Sequence, residues 1–134
     1  MVYITRKESF SAAHRLYQPA WSAAQNEAIF GSCANPNGHG HNFTLLVTVM
    51  GEPDPKTGFL IDLKTLKQII REEVIDPLDH RNLNEDVPFL RGVMPSIENL
   101  VQAIWKRLES RLDSCRLYRI QLYETENNFV EYYG

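Results

Sequence analysis

Apolar and polar positions alternate from His39 to Met50, so His39, His41, Phe43, Leu45, Val47 and Val49 share one face of an expected strand. Tyr3 to Ala13 reads as an earlier long strand, aromatic and β-branched at first and small in Phe10-Ser11-Ala12-Ala13, with His14 near its end. A loop is expected between them, through Pro19-Ala20-Trp21-Ser22-Ala23-Ala24 and the turn Asn35-Pro36-Asn37-Gly38. After the breaker-rich run Gly51 to Gly58 the period changes. Asp62 caps a helix with Leu63, Leu66, Ile69, Ile70 and Val74 at helical spacing, and Pro77 is expected to end it. Pro95-Ser96 opens a second helix whose core stripe is Ile97, Leu100, Val101, Ile104, Trp105, Leu108 and Leu112. The chain closes with a strand from Leu117 to Glu124, a turn at Asn127-Asn128 and a short strand from Phe129 to Tyr133.

This order, ββααββ, predicts an α+β fold: an antiparallel sheet with two helices on one face. No repeat, linker or low-complexity run divides the chain, so residues 1–134 are expected to form one domain, long enough for an adequate core. A hydrophobic content of 43% with 23% charged residues argues against a disordered chain. The net charge of −3 excludes a global basic field for nucleic acid or anionic membrane. No apolar run approaches a membrane span, and Met1 to Lys7 lacks the apolar segment of a signal peptide, so the expected location is cytoplasmic. Cys33 and Cys115 fit neither a redox pair nor a disulfide framework; Cys115, beside Leu117, Ile120 and Leu122, reads as a small buried hydrophobe.

The chemistry concentrates on the four histidines. His39-Gly40-His41 puts two imidazoles on one strand face, and Gly40 adds no side chain to crowd them. Such a pair alone is more often solvated than metal-bound. If the first two strands are antiparallel neighbours, His14 joins them. Three neutral imidazoles suit Zn2+ and leave an open coordination position, the mark of a catalytic site, whereas Cys33 as a fourth ligand would make it structural. The surroundings of Cys33, Gly31-Ser32-Cys33-Ala34-Asn35, are not apolar. A thiol near a dication or an imidazolium ionises readily and can act as base or nucleophile. Asp79-His80 pairs a carboxylate with an imidazole, which makes His80 a candidate general acid. Glu124 ends an expected strand, and its two oxygens can pair with adjacent N–H donors of a flat heterocycle.

Phe10-Ser11-Ala12-Ala13-His14-Arg15-Leu16, Cys33 to Phe43, Pro77-Leu78-Asp79-His80-Arg81-Asn82-Leu83 and Tyr123 to Asn128 together resemble, in order, the 6-pyruvoyl-tetrahydropterin synthase and 6-carboxy-tetrahydropterin synthase family. The resemblance implies the tunnelling fold (T-fold), whose trimers form a barrel and stack into homo-hexamers with active sites between subunits. It implies His14, His39 and His41 as zinc ligands, Cys33 as the proton-abstracting thiol, Asp79 and His80 as a relay, and Glu124 as the pterin anchor. Ser96 and Ile97 stand where two threonines usually precede the glutamate matching Glu98, and are the further substrate-binding candidates. The implied partner is a pterin triphosphate, with Lys7, Arg15 and Arg81 as basic candidates for its phosphates.

The implied reaction converts 7,8-dihydroneopterin triphosphate to 6-pyruvoyl-tetrahydropterin with loss of triphosphate, a lyase step towards tetrahydrobiopterin. The spacer Ala34 to Gly38 resembles the pyruvoyl enzymes; the alternative is 6-carboxy-tetrahydropterin synthase of queuosine biosynthesis. A zinc hydrolase or a non-catalytic zinc assembly protein are the remaining readings of a three-histidine site.

Overall fold

The computed structural model describes residues 1–134. Two long strands, β1 (Val2–His14) and β2 (His39–Gly51), pair antiparallel along their whole length, from Val2 opposite Gly51 to His14 opposite His39. The alternation read from the sequence holds: Phe43, Leu45, Val47 and Val49 are fully buried, with Phe10 and Ala12 of β1 beside them. On the other side of β2, β4 (Arg116–Tyr123) pairs antiparallel with a register shift between Thr48 and Val49, and β5 (Phe129–Tyr132) completes that edge.

The sheet is mixed, where a purely antiparallel one was expected. A two-residue strand, β3 (Arg81–Asn82), runs parallel to β1, giving the order β3-β1-β2-β4-β5. The cause is the open edge of β1. There the His80 N–H donates to the Ser11 carbonyl (2.6 Å) and the Leu83 N–H to the Ala13 carbonyl (2.8 Å), so groups that an edge strand leaves unpaired find partners.

Two helical rods cover the apolar face. The first begins with α2 (Leu63–Ile70), whose N-cap Asp62 accepts from the Lys64 N–H. Pro77 does not end this rod as expected. A π-helical turn (Arg71–Ile75) and the short α3 (Asp76–Leu78) carry it through Pro77 to Leu78. Pro77 has no N–H to give the Glu73 carbonyl four residues back. The wide turn accommodates this, with the Asp76 N–H reaching the Arg71 carbonyl, and the Glu73 carbonyl accepts instead from Arg107 Nε (2.8 Å) on α4 (Ile97–Glu109).

The same contact ties the rods together, since Arg107 and Arg111 also pair with the Glu73 carboxylate at 2.9 and 2.6 Å. α4 starts at its Ser96 cap, as expected, but stops at Glu109, so Leu112 lies beyond it. Leu66, Ile70, Val74, Leu100, Ile104 and Leu108 are buried with Ile120 and Leu122 of the sheet in one core cluster.

A further helix, α1 (Ala23–Phe30), occupies part of the segment expected as loop. Ser22 Oγ accepts from the Gln25 N–H while Gln25 Oε1 accepts from the Ser22 N–H, a reciprocal cap that starts the helix. No helix is long and apolar enough to cross a membrane.

Candidate active site

The register of β1 and β2 decides where the imidazoles go. His14 stands opposite His39 and Ala12 opposite His41, so all three rings project from the core face at its open end. One ring nitrogen from each lies within 4.8 Å of the others. His14 is buried at 2% exposure, while His39 and His41 are half-buried. Phe43 supports the group from below, its ring 6.1 Å from that of His14 and 5.6 Å from that of His41.

The donor set fits a metal. His14 Nδ1 lies 2.7 Å from the Pro95 carbonyl, which accepts its proton and leaves the Nε2 lone pair towards the cluster. The buried Nε2 atoms of His14 and His41 have no hydrogen-bond partner, a costly state for polar nitrogens unless a ligand takes them. Burial pushes the pKa of both imidazoles down, more than the Pro95 carbonyl (for His14) and Glu124 push it up, and so favours the neutral form that ligates.

Gly38 sets the entry to β2. Its φ is +69°, and a Cβ there would sit 3.0 Å from the His14 carbonyl oxygen.

Cys33 is not one of the clustered ligands. It sits in a 3₁₀ turn (Gly31–Ala34) whose Cys33 carbonyl accepts from the Leu16 N–H (2.8 Å) and whose Ala34 carbonyl accepts from Arg15 Nε (2.9 Å). The chain just beyond His14 therefore carries the thiol loop. α1 steadies that loop through buried Asn26, whose amide accepts from the Gln18 N–H and donates to the carbonyls of Gln18 and Ser22.

Glu124 follows β4 directly, in a turn where its N–H donates to the Asn128 carbonyl (3.1 Å). Its Oε1 lies 3.4 Å from His41 Nε2, a close approach without hydrogen-bond geometry. Glu124 also lines a hollow of about 420 Å³ with Leu16, Ser96, Ile97, Glu98 and Asn128. The structure thus brings Ser96, Ile97 and Glu124 together beside the imidazole cluster. The Ser96 hydroxyl is partly committed, accepting from the Asn99 N–H at 3.3 Å as the cap of α4.

Asp79 and His80 lie elsewhere. Asp79 Oδ1 accepts from the Ser11 N–H (2.8 Å) and its Oδ2 lies 3.0 Å from His80 Nδ1. These contacts, the Ser11 N–H first, hold the Asp79 carboxyl below the usual carboxylate range. His80 has a left-handed φ of 60°, alone among the non-glycine residues, and its side chain is 82% exposed. It borders a groove with Ser11, Ala13 and Asn42, which by alternation belong to the face opposite the triad.

Among the basic candidates, Lys7 lies in a different hollow with Thr44 and Glu126, and Arg15 is held over the Tyr17 ring at 3.8 Å; Arg81 borders the His80 groove.

Sequence reasoning missed the Pro95 carbonyl, the Asn26 anchor and the lining role of Leu16. The Ser22-x-x-Gln25 box was a readable signal for α1, and so for Asn26; a backbone acceptor leaves no such trace.

The family profile described as "6-pyruvoyl tetrahydropterin synthase" matches residues 3–134. The chain is 47% identical over 131 residues to the 6-pyruvoyl tetrahydrobiopterin synthase of Homo sapiens, covering 98% of this chain and 90% of that protein. It is 44% identical over 133 residues to the Dictyostelium discoideum protein of the same name, covering 99% and 96%. The structure of Caenorhabditis elegans 6-pyruvoyl tetrahydropterin synthase superposes with a TM-score of 0.92 at 40% identity, covering 99% of this chain and 95% of that one.

Proposed function

This chain belongs to the 6-pyruvoyl tetrahydropterin synthase family, and on that premise we propose that it converts 7,8-dihydroneopterin triphosphate to 6-pyruvoyl-tetrahydropterin with release of triphosphate. The observation that carries the reading is the convergence of His14, His39 and His41 on one another, two of them with orphaned ring nitrogens, with Glu124 3.4 Å from His41 and lining a hollow of its own.

In this reading His14, His39 and His41 would hold zinc, which when bound would supply Lewis acidity towards the hydroxyl oxygens of the substrate side chain and so lower the cost of removing the neighbouring C–H protons. Cys33, in the loop whose Cys33 carbonyl accepts from the Leu16 N–H two residues beyond His14, takes a proton from a side-chain carbon. Asp79 Oδ2 fixes His80 Nδ1, so Nε2 is the atom that delivers a proton. Glu124 accepts hydrogen bonds from adjacent N–H groups of the pterin, with Ser96 and Ile97 as part of the wall. The net change is internal hydrogen redistribution plus loss of a leaving group, so the reaction consumes no oxidant or reductant.

The exposure of His80 on the face opposite its own triad supports an active site completed between subunits, with His80 serving a neighbour in a homo-hexamer built as a dimer of trimers.

The test is release of inorganic triphosphate from 7,8-dihydroneopterin triphosphate. Release that stops on chelation and returns with zinc is expected; no release by the zinc-loaded protein overturns the proposal.

A further inference from the structure

β1 and β2 stop pairing where His14 stands opposite His39, so the residues that follow His14 need other supports. Arg15 and Leu16 are the ones that fasten the thiol loop. The Arg15 Nε–H donates to the Ala34 carbonyl (2.9 Å) and the Leu16 N–H to the Cys33 carbonyl (2.8 Å). Arg15 is itself fixed by the side chain of Asn84. Asn84 Oδ1 accepts from the Arg15 N–H (2.7 Å) and Asn84 Nδ2 donates to the Arg15 carbonyl (2.8 Å), so a single amide satisfies both backbone groups of one residue.

This pair carries the ladder of β3 beyond the strand. The His80 and Leu83 N–H groups donate to the carbonyls of Ser11 and Ala13, and at Arg15 a side-chain amide takes over from a backbone that has turned away. The turn is braced from within. The Glu85 and Asp86 N–H groups fold back on the Asn82 carbonyl, the Asn84 N–H donates to Asn82 Oδ1 (2.9 Å), and the Asn82 N–H to Asp86 Oδ2 (3.0 Å). Buried Leu83 and Val87 anchor it on either side. The amide of Asn84 therefore reaches Arg15 in one orientation, although Asn84 is exposed and belongs neither to the imidazole cluster nor to the wall of the Glu124 hollow.

His14 has supports of its own, the pairing with β2 and the Pro95 carbonyl. The Cys33 turn is tied to the end of β1 through Arg15 and Leu16. Loss of the Asn84 amide is therefore felt at the thiol more than at the metal ligands. We propose that Asn84 is a positioning residue, acting through the Arg15 backbone to set where Cys33 stands relative to the three histidines. Its effect on catalysis rests on the role proposed above for the thiol; the placement of the loop does not.

The test compares the full-length, zinc-loaded wild type with Asn84→Ala and with Asn84→Asp, which keeps the acceptor for the Arg15 N–H and gives up only the donor. Asn84→Ala should keep its zinc and a KM within about twofold of the wild type while losing roughly tenfold or more in kcat, because a misplaced proton-transfer group lowers rate rather than binding. Asn84→Asp should recover most of that loss. A second readout does not depend on turnover: alkylation of Cys33 by iodoacetamide, followed by mass spectrometry with buried Cys115 as the internal reference. Its rate should change by about threefold or more in Asn84→Ala and return towards the wild type in Asn84→Asp.

Unchanged alkylation of Cys33 in Asn84→Ala overturns the proposal. So does equal loss of kcat in the alanine and aspartate variants, or loss of zinc in Asn84→Ala, which would place the effect on His14. Wild-type kcat with altered alkylation overturns the catalytic part alone. If the wild type turns over no substrate while the alkylation pattern holds, Asn84 still positions the loop and the proposed activity fails.

Discussion

His14 Nδ1 lies 2.7 Å from the carbonyl oxygen of Pro95, so a metal-binding candidate is oriented by the residue just before Ser96 and Ile97 in the wall of the Glu124 hollow. One turn of chain therefore sets both the tautomer of His14 and the shape of the proposed pterin pocket. Loosening that turn should be felt at the metal. Pro95→Gly is expected to weaken zinc binding by about tenfold, read by competition with a chromophoric chelator. Unchanged affinity would show that the Pro95 carbonyl does not position the ring.

Gly38 makes a second demand on the same end of the sheet. At φ +69° an L side chain is strained, and its Cβ would press on the His14 carbonyl at 3.0 Å. Gly38→Ala should cost more than about 1 kcal/mol in urea unfolding and should lower zinc stoichiometry, because His39 follows directly. A variant that melts and binds zinc like the wild type would contradict this.

The proposed proton-transfer groups lie outside the imidazole cluster, so removing either should separate metal binding from turnover. Cys33→Ala and His80→Ala are each expected to keep one zinc per chain and to lose about 10²-fold or more in kcat. Metal analysis and a rate assay on the same samples check it. Loss of zinc in Cys33→Ala would move the thiol into the coordination sphere, and wild-type rates in either variant would refute its role.

Asp79 gives a pH dependence whose sign follows from its contacts. The Ser11 N–H, then His80, hold its folded pKa below the ordinary value of about 3.9. Between those two values the unfolded chain binds the extra proton, so stability rises with pH; the contribution is present above the unfolded pKa and lost as pH falls through the folded one. Asp79→Asn should therefore be less stable than the wild type at pH 7, with the gap closing as the pH falls below the ordinary carboxylate value and through the lowered folded one. Urea unfolding across that range measures it, and a gap independent of pH would remove the charge from the explanation.

Much of this architecture was legible because its causes are periodic. The alternation from His39 to Met50 gave the buried face of β2, and pairing of successive strands brought His14 opposite His39. The features that escaped have other causes. α1 has no apolar stripe, and only Asn26 of its residues is buried, so period alone passes over it. Pro77 reads as a helix end until Arg107 is found on the orphaned Glu73 carbonyl, a partner 34 residues away. β3 exists to satisfy one edge of β1, and its two residues carry no pattern of their own. At the site, residue types and order pointed to the histidines, Cys33, Asp79-His80 and Glu124. They did not reveal that His80 lies across the sheet from the triad.

The most direct measurement is the mass of the pterin formed when zinc-loaded protein is incubated with 7,8-dihydroneopterin triphosphate. The account predicts 6-pyruvoyl-tetrahydropterin, with every side-chain carbon retained and one triphosphate released per turnover. A 6-carboxy-tetrahydropterin product, shortened by cleavage of the side chain, or recovery of unreacted substrate, would contradict it.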